Sequence, residues 1–162
     1  MFKLRAAIAA LGLFVAASAT GYFFAANVQA NYVTAGTTRY AMVAAQDAQT
    51  STSTSFVSIP GLSTTVTVPS GKVADLIIDF SGEVNSCSAM SVRAVVDSTA
   101  SSPTSAQIFW PTGGGAQAEA FTFFAKAVKS GTHTVAIQWS EITACSQMFI
   151  SSRTMVITSN VH

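Results

Sequence analysis

Residues 132–139 read Thr-His-Thr-Val-Ala-Ile-Gln-Trp, which puts His133, Val135, Ile137 and Trp139 on one side of an extended chain and Thr132, Thr134, Ala136 and Gln138 on the other. A period of two is what a β-strand with unlike faces imposes, because successive side chains leave a pleated backbone in opposite directions. The period returns in "VADLIIDF", where Leu76, Ile78 and Phe80 oppose Asp75 and Asp79. It returns again in "AMSVRAVVD", where Met90, Val92, Ala94 and Val96 oppose Ser91, Arg93, Val95 and Asp97, as in a sheet with one wet face. Further strands are predicted in "RYAMVAA", "SFVSI", "TTVTV", "QIFW", "AEAFTFFAKAV" and "QMFISSRTMVIT". No segment shows the 3.6-residue apolar recurrence of a long amphipathic helix. About eight to ten short strands bounded by Gly, Pro, Ser, Asn and Asp predict an all-β domain, a two-sheet antiparallel β-sandwich of jelly-roll type.

Local chemistry refines this outline. Pro69 is expected at the second position of a Val68–Gly71 turn, its ring presetting the backbone angle. Phe121 and Phe123 face one way and Phe124 the other, so either both faces of that strand are covered or a bulge re-aims one ring. The repeat "TSTSTS", residues 50–55, reads as a flexible linker or a polar edge strand.

The chain begins "MFKLR", continues with an apolar, alanine-rich stretch from Ala6 to about Ala17, and reaches Val28-Gln29-Ala30 after small residues. That is the layout of a signal peptide, with cleavage after Ala30 or, in second place, Ala19. The competing reading is a membrane anchor, since no charge falls between Arg5 and Arg39. The expected organisation is a signal helix over residues 1–30, an N-terminal strand with a Ser/Thr-rich segment over 31–55, and a sandwich over 56–162 that forms one domain with 31–55. The expected location is secreted, cell-surface or periplasmic, with no membrane contact after cleavage.

Charge narrows the partners. The formal net charge is +1 and only 9% of residues are charged, against ~25% in ordinary soluble proteins. Without a basic stripe to meet phosphates, nucleic-acid binding is excluded as an expectation. Cys87 and Cys145 are an even pair behind a signal peptide and read as one disulfide, whose loop of about sixty residues stabilises the fold by about 4 kcal/mol in the chain-entropy model.

Candidate sites are few. His133 heads its strand beside a Ser130-Gly131 turn, where it reads first as a partly buried rim histidine bonded to a neighbouring loop, and second as a general base paired with a serine and with Asp75, Asp79 or Asp97. No Gly-x-Ser-x-Gly elbow accompanies it. Asp75, Asp79, Glu83 and Asp97 carry hard oxygens but lack the spacing of a calcium loop, and Arg93 on a neighbouring strand is their expected ion-pair partner. Phe109 and Trp110 beside "PTGGG" form the leading ligand-contact candidate, since an aromatic next to a glycine-rich loop can stack on a sugar ring or enter a partner protein. The alternative is that both rings end a core strand. The Phe121, Phe123 and Phe124 strand is a candidate oligomer face. No phosphate loop, zinc spacing or Cys-His nucleophile pattern occurs, so no metal and no cofactor is expected.

The series "TVTVPSGKVADLIIDFSGE", Cys87, "VRAVVD", "SGTHTVAIQW" and "SSRTMVIT" resembles a group of short exported bacterial proteins of unknown function that are predicted jelly rolls, over residues 60–158. More remotely the layout is similar to the tumour-necrosis-factor and complement globular-head jelly rolls. The group implies a sandwich and an exported location and supplies no catalytic residues; the remoter jelly rolls trimerise through one sheet, which makes a homotrimer an expectation by architectural analogy alone. The function expected from all of this is an exported, non-enzymatic binding or structural module for a glycan or protein ligand. Its rivals are a small hydrolase using His133 and a carbohydrate-binding module centred on Trp110.

Overall fold

The computed structural model describes residues 28–33 (main chain only), 38–110, 115–145 and 147–162. Among them are eleven strands and no helix. They are β1 (Val28–Val33), β2 (Thr38–Ala45), β3 (Gln49–Ser51), β4 (Val57–Val68), β5 (Ala74–Ser86), β6 (Met90–Val96), β7 (Thr99–Ala100), β8 (Ala106–Phe109), β9 (Gln117–Val128), β10 (Gly131–Glu141) and β11 (Met148–Val161). The predicted signal helix lies outside the described residues. The boundary expected after Ala30 falls inside β1, which pairs with β2 from Val28 to Val33.

Two antiparallel sheets pack face to face. The first runs β1-β2-β11-β5-β9, with β3 also on β11; the second runs β4-β10-β6-β7, with β8 also on β6. Pairing is nested: β2 with β11, β4 with β10, β5 with β9, β6 with β8. A long antiparallel hairpin rolled up so that its two halves alternate between sheets has this order, which is that of a jelly roll.

Alternation decides what the sheets enclose. Along β5, Ala74, Leu76, Ile78, Phe80, Gly82 and Val84 are buried while the residues alternating with them are partly exposed or exposed. Met155 and Ile157 of β11, Phe123 of β9, Val92 and Ala94 of β6, and Val135, Ile137 and Trp139 of β10 complete the same core. Each fully buried aliphatic or aromatic side chain contributes about 1.5–3 kcal/mol relative to exposure, so this interior, not the scattered surface charge, holds the fold.

Several expectations change in detail. The two strands predicted in "SFVSI" and "TTVTV" are one strand, β4, interrupted by an excursion in which Ile59 to Leu62 stand opposite the single residue Ile137. Pro60 and Gly61, with φ of +79°, make the excursion, and it delivers both Ile59 and Leu62 to the core. The second face of β6 is not wet. Ser91 and Val95 are buried, and the segment before β4 crosses over them: Glu141 N donates to Ser53 O at 2.9 Å, and Arg93 stacks on the Phe56 ring at 4.3 Å. Pro69 occupies the first turn position, because Lys72 N closes on Pro69 O and Gly71, with φ of +71°, takes the third. The "TSTSTS" repeat divides between β3 and a serine-bonded turn through Ser53 and Ser55.

Arg153 ties the layers together. Its guanidinium is buried on β11, donates to Pro60 O at 2.9 Å in the facing sheet, and pairs with Asp47 Oδ1 at 2.9 Å in the link between β2 and β3. Burial raises the Asp47 carboxyl, but the Gln49 amide and the Arg153 charge together outweigh it and hold the group below its ordinary value.

Candidate functional site

The site begins with a two-residue hairpin. β6 and β7 are joined through Asp97 and Ser98, with Val96 opposite Thr99 and with φ of +49° and +72° at the two turn residues. Positive φ at both positions is the type I′ geometry that suits the twist of a tight hairpin. Neither residue is glycine, so the turn is held by its neighbours. β6 pairs with β10 in the register Val96 to Val135, and this brings Asp97 to the head of β10. Asp97 N donates to Thr134 O at 2.9 Å, and Thr134 N donates to Asp97 Oδ1 at 2.8 Å.

His133 sits at the end of the core face of β10, its side chain 15% exposed. Nδ1 lies 2.6 Å from Asp97 Oδ2, and Nε2 lies 2.8 Å from Lys129 O. Both partners are acceptors, a setting that favours a proton on each ring nitrogen. The Asp97 hydrogen bond raises the His133 pKa above its ordinary 6.5; burial opposes this and the Lys129 carbonyl adds to it. Reciprocally, the His133 hydrogen bond and the Thr134 amide hold Asp97 below 3.8. A general base needs a nitrogen lone pair facing its substrate, and here both ring nitrogens face protein acceptors. Gly131 beside it has φ of +142°, a backbone conformation that favours glycine.

Around this pair opens a groove of about 770 Å³, between the Val96–Ser102 segment and the stretch from Phe124 to Lys129 that ends β9 and begins the turn into β10. A bridge closes it on the side of β9, where Ser102 N donates to Phe124 O at 2.8 Å and Phe124 N donates to Ser102 O at 2.7 Å. The bridge joins a loop of the second sheet to the edge strand of the first and covers that edge locally. Phe124 is 45% exposed beside it. Its outward aim is simple alternation, since Phe121 and Phe123 point inward with rings 5.0 Å apart. The strand does carry a bulge, further along at Lys126 and Ala127, which together oppose Asp75 and leave Phe124 untouched. Asp75 Oδ1 accepts from the Ala127 amide freed there, at 2.8 Å.

The other sequence candidates are dispersed. Phe109 is only 2% exposed and belongs to the core of β8, so it offers no surface to a ligand. Trp110, the next residue, is 59% exposed, while Pro111 to Gly114 of the adjoining loop lie outside the described residues. The carboxylates are each engaged separately: Asp79 with Thr122 at 2.6 Å, Glu83 with Ser151 at 2.5 Å, Asp97 with His133. Arg93 is not their partner, because β6 lies in the other sheet from β5; its Nε donates to Gln138 Oε1 at 2.8 Å.

Cys87 and Cys145 form the expected disulfide, Cα atoms 6.0 Å apart, between the β5–β6 and β10–β11 links at the end of the sandwich opposite the groove. Glu141, buried, accepts from Cys145 N at 3.1 Å and sets Oε1 2.8 Å from Cys145 Sγ. The cluster contains ligand-type side chains, but sulfurs bonded to each other lack the thiolate charge a metal takes.

Sequence reasoning missed Ser101, Phe124, Lys126 and Lys129 as companions of His133. Ser101, in a polar link 32 residues before His133, carries no local signal, and although Phe124, Lys126 and Lys129 precede His133 by only nine, seven and four residues, nothing in their spacing sets them beside Ser101. No protein-family model matches the chain, and a comparison with curated proteins finds no match.

Proposed function

We propose that the chain is an exported, non-enzymatic β-sandwich that acts as a binding module, its ligand seated in the groove between the β6–β7 hairpin and the end of β9. The observation that carries this reading is the state of His133. It is the one histidine at the groove, and both its nitrogens are committed to acceptors, so it serves as a fixed strut and not as a base. Around it the groove has the makeup of a small-ligand site, apolar walls with a few convergent polar groups, and its volume falls within the ~300–1,000 Å³ usual for such sites. Export rests on Lys3 and Arg5 ahead of an apolar stretch, together with the disulfide.

Mapping amide shifts of the ¹⁵N-labelled protein against a panel of neutral, acidic, basic and sugar fragments tests the reading. Shifts are expected to cluster at residues 96–102 and 124–133. A panel in which no member moves those amides ends it.

A further inference from the structure

We propose that the groove takes a small organic anion, its apolar body against Phe124 and Val128 and its carboxylate or like oxyanion held by Lys126 and Lys129; this rests on the binding reading above. Two independent observations point there.

The first is charge. Among the described residues, ion pairs join His133 to Asp97 and Arg153 to Asp47, and neither Lys126 nor Lys129 has a carboxylate within pairing distance. Among the described residues Asp97 is the only acidic one lining the groove, and its two oxygens are taken by the His133 ring and by Thr134 N. Protonation of His133 offsets the Asp97 charge in place, and the lining also carries Lys126 and Lys129, neither of them in an ion pair. An anion is attracted to such a rim and a cation repelled, with an effect that salt weakens.

The second is a buried hydroxyl. Ser101 is 5% exposed, lines the groove, and its Oγ has no hydrogen-bond partner. Buried polar groups are almost always partnered, because leaving one unpaired forfeits its hydration. The Oγ itself lies out of solvent reach, so in the proposed complex an oxyanion accepts its proton once the Ser101 side chain turns toward the groove. Apolar walls fix the remaining requirement: a bare inorganic anion leaves Phe124 and the partly exposed Val128 uncovered, whereas an aryl or alkyl body removes them from water.

Three probes of one shape separate the outcomes: 4-phenylbutyrate, 4-phenylbutan-1-ol and 4-phenylbutan-1-amine, titrated into the full disulfide-bonded protein and followed by amide shifts at residues 96–102 and 124–133. The carboxylate is expected to bind about tenfold tighter than the alcohol and the amine more weakly than either. The carboxylate's advantage shrinks in 1 M salt. In a Lys126→Gln, Lys129→Gln double variant it falls to the level of the alcohol, whose own unchanged binding shows that the fold is intact. Equal binding of carboxylate and alcohol in the groove overturns the anion assignment and leaves the binding module standing. Absence of groove shifts with all three overturns the assignment, and extension of that silence to the wider fragment panel removes the binding reading as well.

Discussion

With a carboxylate on one ring nitrogen and a carbonyl on the other, His133 stabilises the folded state most while it carries its second proton. Its pKa is raised on folding, so its contribution is fully present below the ordinary value of 6.5 and is lost as pH rises through the folded value. Asp97 is depressed on folding, so its contribution is present above 3.8 and is lost as pH falls through its lowered value. The tie is therefore strongest between about pH 4 and pH 6.5. Asp97→Asn keeps a side chain that tolerates the left-handed turn and removes the charge. The difference in Tm between the native protein and this variant is expected to be largest near pH 5.5 and to narrow steadily above neutrality. A difference that stays constant from pH 5 to pH 9 would show that the ring is neutral in the fold. The sequence allowed three aspartates as partners for His133; what selects Asp97 is the register of β6 on β10, which no local pattern encodes.

The strands themselves were legible wherever one face is buried, as in β5 and β11, because alternation records burial directly. The sequence was less informative where burial is two-sided or the chain leaves the ladder. β6 reads as half-wet until the Ser53–Phe56 segment is laid over it, and β4 reads as two strands because Pro60 and Gly61 break the period while Ile59 and Leu62 stay inside. The groove was illegible for a different reason: Lys126 and Lys129 look like ordinary solvated charges, and Ser101 like ordinary linker, until the jelly-roll order sets residues 96–102 beside residues 124–133. Packing at the element scale has a sharp test at Gly82 of β5. A Cβ there would lie 2.9 Å from Ile150 Cδ1 and 3.3 Å from Phe80 Cζ, both in the core. Gly82→Ala is expected to destabilise the protein by about 1–3 kcal/mol, seen as a Tm lower by on the order of 5 °C. An unchanged Tm would mean that Ile150 has room to swing aside.

At the scale of the whole molecule, the disulfide and the groove occupy opposite ends of one sandwich. Replacing both Cys87 and Cys145 by serine is expected to lower the free energy of unfolding by about 4 kcal/mol in the chain-entropy model, read from urea titration. Amide shifts at residues 96–102 should hardly move in the same variant; loss of the groove signals would show that the far end depends on the cross-link. The place of β11 has a consequence for how the molecule comes to exist. It runs between β2 and β5, and its Arg153 reaches Asp47 across 106 residues of chain. Contacts that distant in sequence make for slow folding, since loop entropy is lost before any ladder forms. β11 is the sole strand joining β1-β2 to β5-β9 among the described residues, so without Met148–Val161 the first sheet has two pairs whose inner edges lack a partner.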